Sequence, residues 1–122
     1  MLWKCLFGKT YLSKLHGFDL ILRSPSCLPT IPELQEEAER GAIVTTEVEL
    51  LMKMCPCQVI GVTGSDGKTT TTTLIYEILK KAGYNCYVGG NIGIPLFTKL
   101  NEIKPDDKVV LELSSFQLIG ME

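Results

Sequence analysis

The chain has 122 residues, a formal net charge of -2 at pH 7 and five cysteines. Its length allows one ordinary domain or a piece of a larger fold, and the second is expected. The charge balance offers no basic footprint for nucleic acid, no apolar run reaches bilayer length, and an odd cysteine count argues against a disulfide framework, so a monomeric, cytoplasmic protein with no membrane partner is expected.

Met1 to Lys9 is too short and too interrupted by lysine to be a secretory leader. His16 reads as a solvated loop histidine. Phe18 to Arg23 is a strand candidate, and Ser24-Pro-Ser-Cys-Leu-Pro29 is a loop rich in turn residues. Thr30 then fits a helix N-cap, with Glu33 completing a capping box and Pro32 in the first turn, and Gly41 fits the stop. Ala42 to Thr45 is a short buried strand. Thr46-Glu-Val-Glu49 repeats the capping-box pattern ahead of Leu50 to Met54, and Pro56 ends that helix.

Cys55-Pro-Cys57 marks the expected domain boundary, dividing the chain into residues 1–56 and 57–122. One intervening residue is not the spacing of zinc knuckles or thioredoxin-like motifs, so both cysteines read as small apolar residues.

Gln58 to Thr63 reads as a buried strand and Thr71 to Ala82 as a helix. Between them, Gly61-Val-Thr-Gly-Ser-Asp-Gly-Lys-Thr-Thr70 has the order strand, glycine-rich loop, helix that a triphosphate site requires. The unpaired N–H groups at the start of the helix carry a partial positive charge. Gly64 and Gly67, flanking Ser65 and Asp66, let the backbone line those groups along one concave surface. Lys68 is expected to reach the phosphates of ATP, Thr69 to set its hydroxyl on Mg²⁺, and Thr70 to add a phosphate contact. The glycines are shifted from the common pattern: Val62 stands where the first glycine is usual.

Gly83 is a C-cap candidate and Tyr84 to Val88 a strand. Gly89-Gly-Asn-Ile-Gly-Ile-Pro95, at the strand's carboxyl end, suits a backbone that approaches a ligand. A short helix over Leu96 to Ile103 and a turn at Pro105 to Asp107 lead to the core strand Lys108 to Leu113. Alternating strands and helices imply an α/β fold with a parallel sheet and flanking helices. Glu112 interrupts an otherwise apolar strand near its carboxyl end, where ligands bind in such sheets, and is a candidate Mg²⁺ ligand. Ser114-Ser-Phe-Gln117 reads as a turn able to line a polar cleft beside it.

Gly61 to Leu74, Val88 to Gly93 and Leu111 to Leu118 together resemble the Mur ligases, ATP-dependent amide-forming enzymes of peptidoglycan synthesis. Gly-Gly-Asn-Ile-Gly with Leu-Ser-Ser-Phe-Gln-Leu is similar to the D-glutamate-adding branch, and Phe18 to Ser26 and Thr45 to Leu50 are similar to the segments preceding its ATP domain. This resemblance implies the end of a Rossmann-like, UDP-substrate-binding domain followed by the start of an incomplete central domain of the P-loop NTPase kind. It implies ATP and Mg²⁺, with UDP-N-acetylmuramoyl-L-alanine and D-glutamate as substrates of the full-length enzyme, joined through an acyl phosphate.

By the same resemblance Lys68, Asn91 and Glu112 are catalytic, Gly64 to Thr70 bind the nucleotide, and Thr69 and Glu112 hold the metal. Ser24, Asn91, Ser114 and Ser115 face the nucleotide-sugar side. Ser26 stands where the family usually has glycine. The second-metal histidine, the carbamylated lysine and the D-glutamate domain of the family have no counterpart here, so a catalytically incomplete piece is expected. The alternatives are a stand-alone ATP-binding module and a ligase of the folate-polyglutamate kind.

Overall fold

The computed structural model describes residues 4–6, 10–90 and 95–121. Its strands form two parallel sheets, flanked by helices, on either side of Cys55 to Cys57. In the first, β1 (Leu20–Leu22) pairs with β2 (Ile43–Thr45), Ile21 lying opposite Val44. A short 3-10 turn (Tyr11–Lys14) precedes β1, and α1 (Pro32–Glu39) connects the two strands. Leu15, Ile21 and Leu34 form the core of this unit.

The N-terminus of α1 departs from expectation. Ile31, not Thr30, is the N-cap, with φ -61 and ψ 127 and no side-chain cap bond. Pro32 is the cause, because its ring forces the preceding residue into an extended conformation and so places the helix boundary at Ile31. The C-terminus follows expectation: Gly41 N–H donates to Ala38 O and Ala42 N–H to Glu37 O, both at 3.0 Å, the paired bonds that close a helix through a left-handed glycine.

In α2 (Glu47–Met54) the cap is as read, with Glu49 N–H donating to Thr46 Oγ1 at 3.2 Å. The reciprocal half of the box is missing, since the Glu49 carboxylate accepts from Lys53 Nζ at 2.9 Å instead. Cys55 ends the helix in an extended conformation ahead of Pro56.

The second sheet has the order β3 (Gln58–Val62), β5 (Lys108–Glu112), β4 (Cys86–Gly90). Its central strand is the most deeply buried element: Val110 and Leu111 have no exposed surface, and Glu112 is 6% exposed. The register puts Glu112 between Val62 of β3 and Gly90 of β4. Leu96, Ile103, Val109, Leu111 and Leu113 build the core here, and Leu51 of α2 joins them.

Helix α3 (Lys68–Lys81) crosses from β3 to β4, starting inside the glycine-rich motif, three residues before its apolar spacing begins. It ends at Gly83, whose N–H donates to Lys80 O while Tyr84 N–H donates to Leu79 O, each at 3.1 Å. Leu74 and Ile78 on its outer side remain exposed.

Two further expectations are corrected. The expected helix over Leu96 to Ile103 is a 3-10 turn (Leu96–Lys99) followed by irregular turns. Its bonds run to the third residue back, as in Thr98 N–H to Pro95 O and Ile103 N–H to Leu100 O, a geometry that does not propagate far. Ser114 to Gln117 is more than a turn. Ser114 caps a single helical turn, α4 (Ser115–Leu118), by a complete capping box: Gln117 N–H donates to Ser114 Oγ at 3.3 Å, and Ser114 N–H to Gln117 Oε1 at 2.7 Å.

The two caps separate sequence pattern from structure. Thr46→Ala is expected to lower unfolding free energy by about 1 kcal/mol, the usual loss for a helix cap. Thr30→Ala is expected to change it by less than about 0.5 kcal/mol, as for other surface positions. Urea denaturation of both variants measures the contrast.

Candidate nucleotide and metal site

Strand β3 ends at Val62 and the chain turns through 63–67 before α3 begins at Lys68. Gly67 is the residue before the helix and has φ 75, a left-handed conformation in which a side chain would be strained. Gly64 has φ 151. The shifted glycines therefore divide the work. Gly61 has no such conformation but lies beside Leu113, whose Cδ1 would be 3.1 Å from an added Cβ. It keeps the strand close to the core, while Gly64 and Gly67 shape the loop.

Gly64, Ser65, Asp66 and Gly67 are all exposed, and Lys68 is half-buried. Lys68 Nζ donates to Gly64 O at 2.7 Å, so the ammonium lies folded onto the loop. Placed at the start of a helix of 14 residues, it adds its charge to the unpaired N–H groups of the first turn.

The second polar contact joins elements distant in sequence. Thr69 Oγ1 donates to Glu112 Oε2 at 3.1 Å. Both are hard oxygen donors of the kind Mg²⁺ prefers, and two adjacent ligands of an octahedral Mg²⁺, each at ~2.1 Å, lie about 3 Å apart. The pair thus fits a magnesium ion without rearrangement of either strand or helix. Glu112 is buried at the end of the central strand.

Thr70 is exposed on the first turn of α3 and, with Thr69, Thr73, Leu74 and Glu77, lines a shallow groove of about 430 Å³. Ser115 is exposed at the start of α4, whereas Ser114 and Gln117 are engaged in the capping box, so the Gln117 amide points into the helix cap and not into a cleft. Ser24 belongs to the first unit, where its Oγ lies 3.0 Å from Ser26 Oγ. Asn91 lies outside the described residues, as do its neighbours 92–94.

Gly89 and Gly90 have a packing role that sequence reading did not show. A Cβ on Gly89 would collide with the Leu96 side chain, and one on Gly90, at φ 98, with the Glu112 backbone. Their missing side chains make room for neighbouring protein atoms. His16 is exposed as expected, though its Nδ1 lies 2.6 Å from Arg40 Nη1 and 3.4 Å from Glu37 Oε1. Sequence reading missed Arg23 altogether, a buried cation that gave no motif signal.

Residues 62–120 match the Mur ligase middle domain. The chain is 55% identical over 119 residues to UDP-N-acetylmuramoylalanine--D-glutamate ligase of Ruminiclostridium cellulolyticum, covering 98% of this chain and 26% of that protein. It is 56% identical over 118 residues to the ligase of the same name from Acetivibrio thermocellus, covering 97% and 25% respectively. The corresponding Clostridium botulinum protein is 56% identical over 117 residues. The chain thus spans about a quarter of the length of the curated relatives it matches.

Cys55 and Cys57 stand apart from these groups. Their Sγ atoms are 3.5 Å apart, and no cluster of three or more metal-ligating side chains occurs among the described residues. Burial first, and then the hydrogen bond to Cys55, push the Cys57 thiol up to about 12. The folded chain therefore keeps this proton while the unfolded chain loses it, and stability falls as pH rises from the ordinary thiol range toward 12. At pH 8, Cys57 is expected to resist alkylation by iodoacetamide while exposed Cys5 reacts, as read by peptide mass spectrometry.

Proposed function

As the chain belongs to the Mur ligase family through residues 62–120, we propose that it carries the nucleotide and metal site of an ATP-dependent ligase that joins D-glutamate to UDP-N-acetylmuramoyl-L-alanine. The single observation that carries this reading is the Thr69–Glu112 contact of 3.1 Å in front of the N-terminus of α3. It sets a hydroxyl and a carboxylate beside the glycine-rich loop onto which Lys68 is folded. The relatives' names supply the substrates.

In this reading the loop from Gly64 to Gly67 and the first turn of α3 hold the triphosphate, Lys68 neutralises it, and Thr69 and Glu112 hold Mg²⁺. Bound Mg·ATP supplies the phosphoryl group that activates the muramoyl-alanine carboxylate. The chain's own residues contribute position and charge neutralisation, which is most of what phosphoryl transfer asks of a protein. Lys68, which donates to the Gly64 carbonyl, would hold phosphate oxygen instead when ATP binds, a charged acceptor giving roughly twice the strength of a neutral one. Burial on β5 keeps the Glu112 carboxylate from wandering. Ser24, Asn91, Ser114 and Ser115 are assigned to the nucleotide-sugar side.

The proposed division is a UDP-substrate part over residues 1–56 and an ATP part over 57–122. The proposed compartment is the cytoplasm, where nucleotide-linked precursors are made; no helix among the described residues is long and apolar enough to cross a membrane. With a quarter of the relatives' length, the chain is assigned nucleotide and metal binding rather than complete amide formation.

Isothermal titration calorimetry of the chain with ATP tests the reading. Lys68→Ala is expected to weaken Mg·ATP binding by about 100-fold, or ~2.7 kcal/mol. Glu112→Gln is expected to remove most of the difference between titrations run with Mg²⁺ and with EDTA. Unchanged affinity in Lys68→Ala would falsify the phosphate-loop assignment.

A further inference from the structure

Arg23 is 6% exposed and lies where the two halves of the chain meet. Its backbone is pinned by β2, since Arg23 N–H donates to Thr45 O at 2.8 Å. Its guanidinium reaches in two directions. Nη1 donates to Cys27 O at 2.9 Å, within the Ser24 to Pro29 loop, and Nη2 donates to Ile119 O at 2.8 Å, just beyond α4.

The second connection joins residues 96 positions apart in sequence. The packing around it is close: a Cβ on Gly120, which has φ 76, would lie 2.7 Å from Pro29 Cγ and 3.3 Å from Arg23 Nη2. Burying a guanidinium costs several kcal/mol unless its donors are satisfied and its charge is compensated. Compensation comes from the two carbonyls and from buried Glu49, whose carboxyl is held below its usual range chiefly by Lys53, with the charge of Arg23 contributing. A neutral apolar side chain would fill the same volume at lower desolvation cost. What it would lack is the planar fork that fixes two separate backbone carbonyls at one distance.

The geometry points to Arg23 as a positioning residue that clamps the Ser24 loop to the segment carrying Ser114, Ser115 and, two residues before them, the Glu112 carboxylate. This inference rests on the proposed assignment of those groups to the nucleotide-sugar and metal sides of one site. Arg23 touches no reacting group. It acts by transmitting order: binding that stiffens the end of β5 and the α4 cap also stiffens residues 24–29, because one guanidinium holds both.

Hydrogen–deuterium exchange of the chain, with and without Mg²⁺ and the non-hydrolysable ATP analogue AMP-PNP, tests it. In the wild type the nucleotide is expected to slow exchange at 61–70 and, by at least about fivefold, at 24–29 as well, within the usual span of coupling between sites. In Arg23→Met the protection at 61–70 and the AMP-PNP affinity remain within about twofold while the protection at 24–29 disappears. Arg23→Lys, whose ammonium is a compact point charge, restores only part of it. Gly120→Ala, which pushes the same contact apart from the other side, gives the Arg23→Met result and carries the test if that variant does not fold. Protection at 61–70 without any at 24–29 in the wild type, or protection at 24–29 that survives both Arg23→Met and Gly120→Ala, overturns the clamp and leaves the nucleotide site standing. Absence of protection at 61–70 overturns both readings.

Discussion

A carboxylate at the end of a strand buried on both faces is the constraint around which the second half of this chain is arranged. β5 is covered by β3 and β4 at its edges and by side chains above and below, so Glu112 has no freedom to turn toward bulk water. A polar group so placed needs a partner. The hydroxyl of Thr69 is that partner at 3.1 Å, which ties the first turn of α3 to the end of β5. The same contact also brings together two hard oxygen donors of the kind Mg²⁺ prefers.

The glycines follow from that arrangement. Gly90 lets the backbone of β4 come against Glu112, and Gly61 keeps β3 near Leu113, so both neighbours of β5 approach closely at its carboxyl end. Gly64 and Gly67 then bend the chain away from β3 and start α3 with its N–H groups facing outward. Glycines that look alike in sequence thus serve two different demands: close packing between strands, and a backbone conformation that side chains resist.

Charge also links the two sheets. Leu51 of α2, which precedes the second sheet in sequence, packs into the core around β5. Arg23 carries the connection in polar form, from the loop after β1 to the residue after α4. Through that guanidinium the loop after β1 is tied to the segment after α4.

By itself the sequence determined the strand–loop–helix order, the Lys68-Thr69 pair at the helix start, the cap at Thr46 and the oddity of Glu112 in an apolar strand. These are local: each depends on residues a few positions apart, where periodicity, capping and φ preference act directly. The tertiary structure decided whatever depended on partners far along the chain. Pairing of Thr69 with Glu112 spans 43 positions and the clamp from Arg23 to Ile119 spans 96. No local pattern encodes either distance. The Gly89-Gly90 pair shows the same limit from the other side, since a missing Cβ is equally compatible with a ligand and with Leu96 or Glu112 until the neighbouring elements are in place. Thr30, a good cap by pattern, lost its place to Ile31 because a proline constrains the residue before it more strongly than a threonine hydroxyl attracts an N–H.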